Sequence, residues 1–233
     1  RAPARYAGVD MKAMILAAGR GERLRPLTES IPKPLVEVAG QTLLGRHLEQ
    51  LAHAGFTSAV INVSHLAEKI TARFGDGSCF GVSIEWSRER EPLETAGGIA
   101  QARTLLGPDP FLLVNADIWC DYDFSRLKNL VLGTRLCHLV LVPNPPQHPG
   151  GDFSFDDGFV GNAPAPRYTY AGIAVLSPRL VEGIGAGRKA PLAPLWRAAA
   201  DRGEVTGEVH EGRWSDVGTP ERLAALEARL KKS

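Results

Sequence analysis

Residues 16–34 read LAAGRGERLRPLTESIPKP. The apolar run Met14 to Ala18 leads into Gly19 and Gly21, the pattern of a buried strand entering a glycine turn. Small residues and two glycines let such a turn bring backbone N–H groups close to an anion. Arg20, Arg23, Arg25 and Lys33 lie within fourteen residues of one another. Together they describe a loop that cradles a triphosphate with amides and cationic side chains. The plain alternative is a strand-to-helix turn beside a solvated basic face. The stretch is not a Walker A loop, because GxxxxGK[ST] is absent. Nor is it a dinucleotide fingerprint, since the third glycine is missing and basic residues intrude.

Working outward, the apolar spacing from Leu43 to Ala54 predicts a helix that Gly55 can end. Strands are predicted at 59–63, 82–86 and 111–114, and helices at 65–74 and 98–106. Strands alternating with helices of about ten residues indicate a parallel α/β sheet. Such sheets carry ligands at the carboxyl ends of their strands. Gly19-Arg20-Gly21 stands after the first strand there, and Asp117 after the fourth. In the second half, strands are predicted at 136–142 and 168–176. A hairpin turning at Asp156-Asp157-Gly158 is predicted at 153–160. Helices are predicted at 192–202 and 220–230, the last with Thr219 as N-cap and Pro220 in its first turn. The expected architecture is α/β, one Rossmann-like domain whose mixed, mostly parallel sheet is flanked by helices.

Composition agrees with one globular unit. The 233 residues correspond to roughly 1.5 average domains, and no linker cuts the chain. An apolar fraction of 44% is enough for a substantial core. Lys plus Arg number 27 against 26 Asp plus Glu, which argues against a nucleic-acid partner. No run of 18 apolar residues suggests a membrane span. Cys79, Cys120 and Cys137 are odd in number and lack a CxxC pair, so reduced thiols in a cytoplasm are expected. Residues 1–10 hold no apolar signal segment and read as a disordered leader or remnant before a domain over 11–233.

The composite pattern AAGxGxRLxPLTxxxPKPL resembles the signature of the sugar-nucleotidyltransferases, also called NDP-sugar pyrophosphorylases. Four further segments extend the likeness over almost the whole chain: Glu91 to Gly98, Val114 to Asp117, Tyr168 to Ile173, and Trp214 to Pro220. Ala116 stands where the family usually has glycine. Within the family, EPLETAGGI, LLVNADIWCDYDF, HPGGDF and YTYAGI resemble the uridylyltransferase branch whose sugar is N-acetylmuramate, in peptidoglycan recycling. The resemblance divides the domain into a nucleotide-binding half (about 11–120) and a sugar-binding half (about 121–233).

The resemblance implies attack of a sugar 1-phosphate oxygen on the α-phosphorus of UTP, with pyrophosphate leaving in line. The nucleophile is already an anion, so no general base is needed. Catalysis is then positioning plus charge neutralisation. Arg23 and Lys33 are the implied catalytic cations, Lys33 at the α-phosphate. Ala17, Ala18, Gly19, Gly21, Glu91, Gly97 and Asp117 join them in holding the nucleotide. Asp117 and Asp216 are the implied ligands of Mg²⁺. Asn115, Asp152, Gly172 and Arg167 are the candidates for the sugar side, Arg167 standing equally well as a surface residue. A carboxylate at 91 can also read guanine, so mannose-1-phosphate guanylyltransferase and glucose-1-phosphate uridylyltransferase stay open. So does a non-catalytic nucleotide-sugar sensor. A monomer without nucleic-acid or membrane partners is expected.

Asp121-Tyr122-Asp123 is a DxD pattern, the metal-holding motif of many glycosyltransferases. Two polar residues opening a helix at Phe124 explain it as well. The six histidines show no metal spacing, and the tryptophans read as packing, although Trp119 is close enough to Asp117 to wall a site.

Overall fold

The computed structural model describes residues 10–164 and 166–231. The chain runs β1 (Ala13–Leu16), α1 (Leu27–Ser30), the short pair β2 (Glu37–Val38) and β3 (Gln41–Thr42), α2 (Leu43–His53), β4 (Ser58–Val63) and α3 (Ala67–Phe74). It continues with β5 (Ser83–Arg88), α4 (Glu94–Leu106), β6 (Phe111–Asn115), β7 (Ile118–Cys120), α5 (Ser125–Lys128) and β8 (Cys137–Val142). The hairpin β9 (Phe153–Asp156) and β10 (Phe159–Gly161) follows, then β11 (Arg167–Leu176), α6 (Ala193–Asp201), β12 (Val205–Val209), β13 (Trp214–Asp216) and α7 (Pro220–Leu230).

One nine-stranded sheet has the order β5-β4-β1-β6-β11-β8-β12-β10-β9. The parallel pairing expected across it is confined to β5-β4-β1-β6 and to β8–β12. Helical crossovers α2, α3 and α4 allow parallel neighbours in the first half. In the second half β11 is reached through a hairpin, so it runs antiparallel to both β6 and β8.

Alternation along each strand separates two cores. Ala13, Ile15, Ile61, Val114 and Ile173 face α2 and α3, which contribute Leu44, Leu48, Ile70 and Phe74. Met14, Val60, Leu113, Leu139 and Ala174 face α4 and α6, which contribute Ile99, Leu106 and Trp196. The sheet is thus sandwiched between two helical layers. A third cluster packs Trp119, Val217 and Leu226 where α7 covers the two-stranded pair β7–β13.

The expected Thr219 cap is present, and Thr42 adds one the sequence reading did not name. Thr42 accepts the Gly45 amide at 3.2 Å, and Thr219 accepts the Arg222 amide at 3.4 Å. The helix expected from 98 starts four residues earlier, at Glu94. Gly97 and Gly98 weaken local helix propensity, yet both are needed inside α4. A Cβ at 97 would stand 2.3 Å from the Arg188 carbonyl, and one at 98 would stand 2.7 Å from Asn62 Nδ2. The leader expected over 1–10 falls outside the described residues except for Asp10. That residue is not free of the fold: its carboxylate is bonded by Thr57 and Lys128.

Candidate active site

The carboxyl ends of β1, β4 and β6 open into a cavity of 840 Å³. Leu16 pairs with both Asn62 and Asn115, so the two asparagines flank the start of the glycine loop. Ala17, Ala18, Gly19, Gly21, Arg23, Lys33, Glu91 and Asp117 all line the cavity, as does Arg20. Gly21 has φ +65°, and Thr28 donates its hydroxyl to the Gly21 carbonyl at 2.8 Å, closing the turn. The chain then returns so that Lys33, only 9% exposed, enters from below. Its Nζ donates to Asp117 Oδ2 at 2.6 Å.

One base-side expectation needs correction, and one buried neighbour needs adding. Gly97 does not reach the cavity. Its amide donates to the Ala190 carbonyl at 3.1 Å, and its bare Cα admits the 188–190 segment. Glu91 lies exposed at the rim, while Glu89 is buried inside. Glu89 accepts from Asn62 Nδ2 at 2.6 Å and from the Leu93 amide at 2.9 Å, and Asn62 Oδ1 accepts the Ala17 amide at 2.8 Å. This chain of bonds ties the glycine loop to residues 89–93. Burial raises the Glu89 pKa above the usual carboxylate value. Asn62 and Glu89 were missed by the sequence reading. The available signal was a polar Asn inside the apolar run AVINV, matching Asn115 at the end of FLLVN.

A second cavity of 350 Å³ adjoins the first, and Arg23, Asn115 and Asp117 line both. Gly172 lines the second. Its φ is +81°, and a Cβ there would stand 2.8 Å from Ile118 and 3.1 Å from Asn115. The β11–β8 register shifts at this point, between Tyr170 and Ile173. Asp216 enters on β13, opposite Ile118 of β7, while the Val217 amide donates to the Asp117 carbonyl at 2.8 Å. Two aspartates ninety-nine positions apart are thereby joined by one short ladder. Asp216 is ion-paired with Arg222 and accepts from Gln147 Nε2 at 2.9 Å.

Two sugar-side expectations are corrected. Asp152 stands behind the cavity wall. Its carboxylate accepts the Tyr170 amide at 2.8 Å and pairs with His148 Nε2 at 3.0 Å, so His148, not Asp152, faces the cavity. Arg167 is aimed at the carbonyls of Gly151, Asp152 and Ala163 and acts as a brace of that loop. Trp214, His148, Gln147 and Arg222 were missed, because their meeting depends on long-range packing.

The remaining signals resolve structurally. Asp123 caps α5 through the Ser125 amide at 2.9 Å, and Asp121 pairs with His210 and Arg213. Ligand atoms of Cys120, Asp121 and His210 lie within 4.8 Å of one another. The Arg213 guanidinium already holds Asp121, and burial pushes the Cys120 thiol up to about 12. Trp119 does not wall the cavity; it is stacked between Arg46 and Arg213. Buried His47 is held down to about 4 by burial, so it stays neutral in the core. No helix among the described residues is long and apolar enough to cross a membrane.

A hard divalent cation takes oxygen ligands, one or two of them carboxylates, and leaves room for phosphate oxygens. Asp117, in the turn that leads into β7, and Asp216, on the paired strand β13, both open to the second cavity and satisfy that requirement. Lys33 and Arg222 are the cations paired with these two carboxylates.

Comparisons with known proteins follow the same lines. Residues 12–141 match the model of the nucleotidyl transferase family. An N-acetylmuramate alpha-1-phosphate uridylyltransferase of Neisseria meningitidis is 48% identical over 94% of this chain and 97% of its own length. A protein of the same description from Caulobacter vibrioides is 35% identical over 95% and 97%. A mannose-1-phosphate guanyltransferase of Aspergillus fumigatus is 36% identical over 90% of this chain but only 61% of its own length. Among solved structures, a Bacillus anthracis protein described as a glucose-1-phosphate thymidylyltransferase superposes with a TM-score of 0.84. It is 19% identical, with 96% of each chain covered.

Proposed function

The chain belongs to the nucleotidyl transferase family, an enzyme that moves nucleotidyl groups onto sugar phosphates, and within that family we propose a Mg²⁺-dependent uridylyltransferase. Its substrates are UTP and N-acetylmuramate α-1-phosphate, its products UDP-N-acetylmuramate and pyrophosphate, and its place is cytoplasmic peptidoglycan recycling. One observation carries the mechanism: Arg23, Asn115 and Asp117 line both cavities, so the two substrates meet beside Asp117. The choice of base and sugar is supported by the descriptions of the Neisseria and Caulobacter relatives.

The triphosphate lies along the glycine loop, with Arg23 on the β- and γ-phosphates. The sugar sits against Gly172 and Asn115. Its phosphate oxygen attacks the α-phosphorus, the bond to the β-phosphate oxygen breaks, and pyrophosphate leaves. Asp117 and Asp216 would hold the Mg²⁺, which when bound would supply positive charge to the phosphate oxygens. Lys33 stands where charge gathers in the transition state, its ammonium fixed by Asp117. Its near-complete burial makes that ammonium more effective than one in water. The buried Glu89–Asn62 pair holds the loop and the base-side segment in one geometry before substrate arrives.

The test is pyrophosphate release with Mg²⁺ across four nucleoside triphosphates and four sugar 1-phosphates, N-acetylmuramate 1-phosphate included. A dominant signal at UTP with N-acetylmuramate 1-phosphate is expected. A dominant signal at GTP with mannose 1-phosphate keeps the mechanism and overturns the substrates. Nucleotide binding without turnover anywhere overturns the mechanism and makes the protein a sensor.

A further inference from the structure

We propose that Arg222 is a substrate-binding residue that the free enzyme stores on Asp216. When a divalent cation takes Asp216, the released guanidinium turns to the phosphate of the sugar 1-phosphate. The inference rests on the reading of Asp216 as a metal ligand.

Arg222 sits in the first turn of α7, and its amide is fixed by the Thr219 cap. The backbone is therefore anchored while the long side chain can swing. The guanidinium folds back over Gly218, where a Cβ would come within 2.7 Å of Nη2. Gly218 lines the large cavity and Arg222 the second, so the head group lies where the two meet. Both Asp216 oxygens are engaged, one by Arg222 and one by Gln147. A cation on this carboxylate competes with those donors for its lone pairs and repels the guanidinium.

The Arg222 and Asp216 side chains keep 20% and 24% exposure, so the guanidinium can leave Asp216 only if the cation and the phosphate replace the lost pairing. The exchange gains a planar, two-pronged donor beside the phosphate that must approach the α-phosphorus. The other basic side chains of the second cavity have other tasks on the proposed reading. Arg23 also lines the large cavity, where it serves the triphosphate, and His148 is hydrogen-bonded to Asp152. Arg222 is thus the cation left for the sugar phosphate. A purely structural tie between α7 and β13 would explain the ion pair, but not its position facing both cavities.

Arg222→Gln and Arg222→Lys in the full chain decide between the two. Calorimetric titration of substrate-free enzyme with Mn²⁺ is expected to show several-fold tighter binding in Arg222→Gln, because Asp216 no longer sheds a cation. The KM for the sugar 1-phosphate should rise roughly ten- to hundredfold, the KM for the nucleotide should stay within about twofold, and Arg222→Lys should recover part of the loss. Unchanged Mn²⁺ affinity together with an unchanged sugar KM overturns the proposal. So does an equal rise in both KM values with a lowered Tm that lysine does not restore. If the wild-type enzyme turns over no sugar 1-phosphate, the functional reading fails instead, and the Mn²⁺ titration still decides whether Arg222 competes with a cation.

Discussion

The large cavity takes Arg20, Arg23 and Lys33 from one contiguous stretch of chain, whereas the polar groups that the second does not share with it come from four separate segments around residues 147, 169–172, 214–216 and 222. The two ends also hold their aspartates differently. The Lys33 side chain is 11% exposed and the Arg222 side chain 20%, while their aspartates run the other way, Asp117 at 36% and Asp216 at 24%. A buried ammonium has no alternative partner in water and stays where it is. A more exposed guanidinium can be exchanged. On the proposed reading, the loop end serves transition-state charge and the β11–β13 end substrate capture.

The strongest way to break that contrast is to remove either aspartate. Asp117→Ala and Asp216→Ala are both expected to lower turnover roughly a thousandfold or more, since a metal-held charge contributes several kcal/mol. Circular dichroism and Tm should remain near wild type for Asp216→Ala. Asp117→Ala should be less stable, because it leaves buried Lys33 without its partner. Full activity in either variant removes the metal assignment.

Next in size is Lys33→Ala, where kcat should fall roughly 10²–10³-fold, the cost of deleting one preorganised donor to developing charge. The KM values should change little. An unchanged kcat with raised KM would make Lys33 a ground-state contact, and the two ends of the cleft would then work alike.

The same contrast decides what could be read from sequence. The loop end is local: glycines, arginines and Lys33 fall within one stretch, and β1, β4, β5 and β6 announce themselves by apolar or alternating runs separated by helical spacing. The second end depends on β7–β13, two three-residue strands whose pairing carries no local signal. Asp216 was legible through family resemblance alone. Trp214, Gln147 and Arg222, which surround it, were not. Asp152 and Arg167 looked like substrate residues because their chemistry suits a sugar and a phosphate. Their side chains are instead spent on the 148–170 loop, which only coordinates reveal. Gly97 misled for the opposite reason, since a glycine needed for close helix packing reads like a glycine needed by a ligand.

The smallest expected effects separate those two loop residues. Asp152→Asn keeps the shape but alters the acceptor that orients His148, so the sugar 1-phosphate KM should rise several-fold with the nucleotide KM unchanged. Arg167→Ala loses bonds to three backbone carbonyls, each bond modest in net worth. Its cost should appear as stability, about 1 kcal/mol or a fall of roughly 2–4 °C in Tm, with the sugar KM within about twofold of wild type. Initial-rate kinetics and a thermal melt on the two variants check both statements. A large KM effect in Arg167→Ala without loss of stability would return its guanidinium to the substrate. Arg222 would then no longer be the cation that the second cavity reserves for the sugar phosphate.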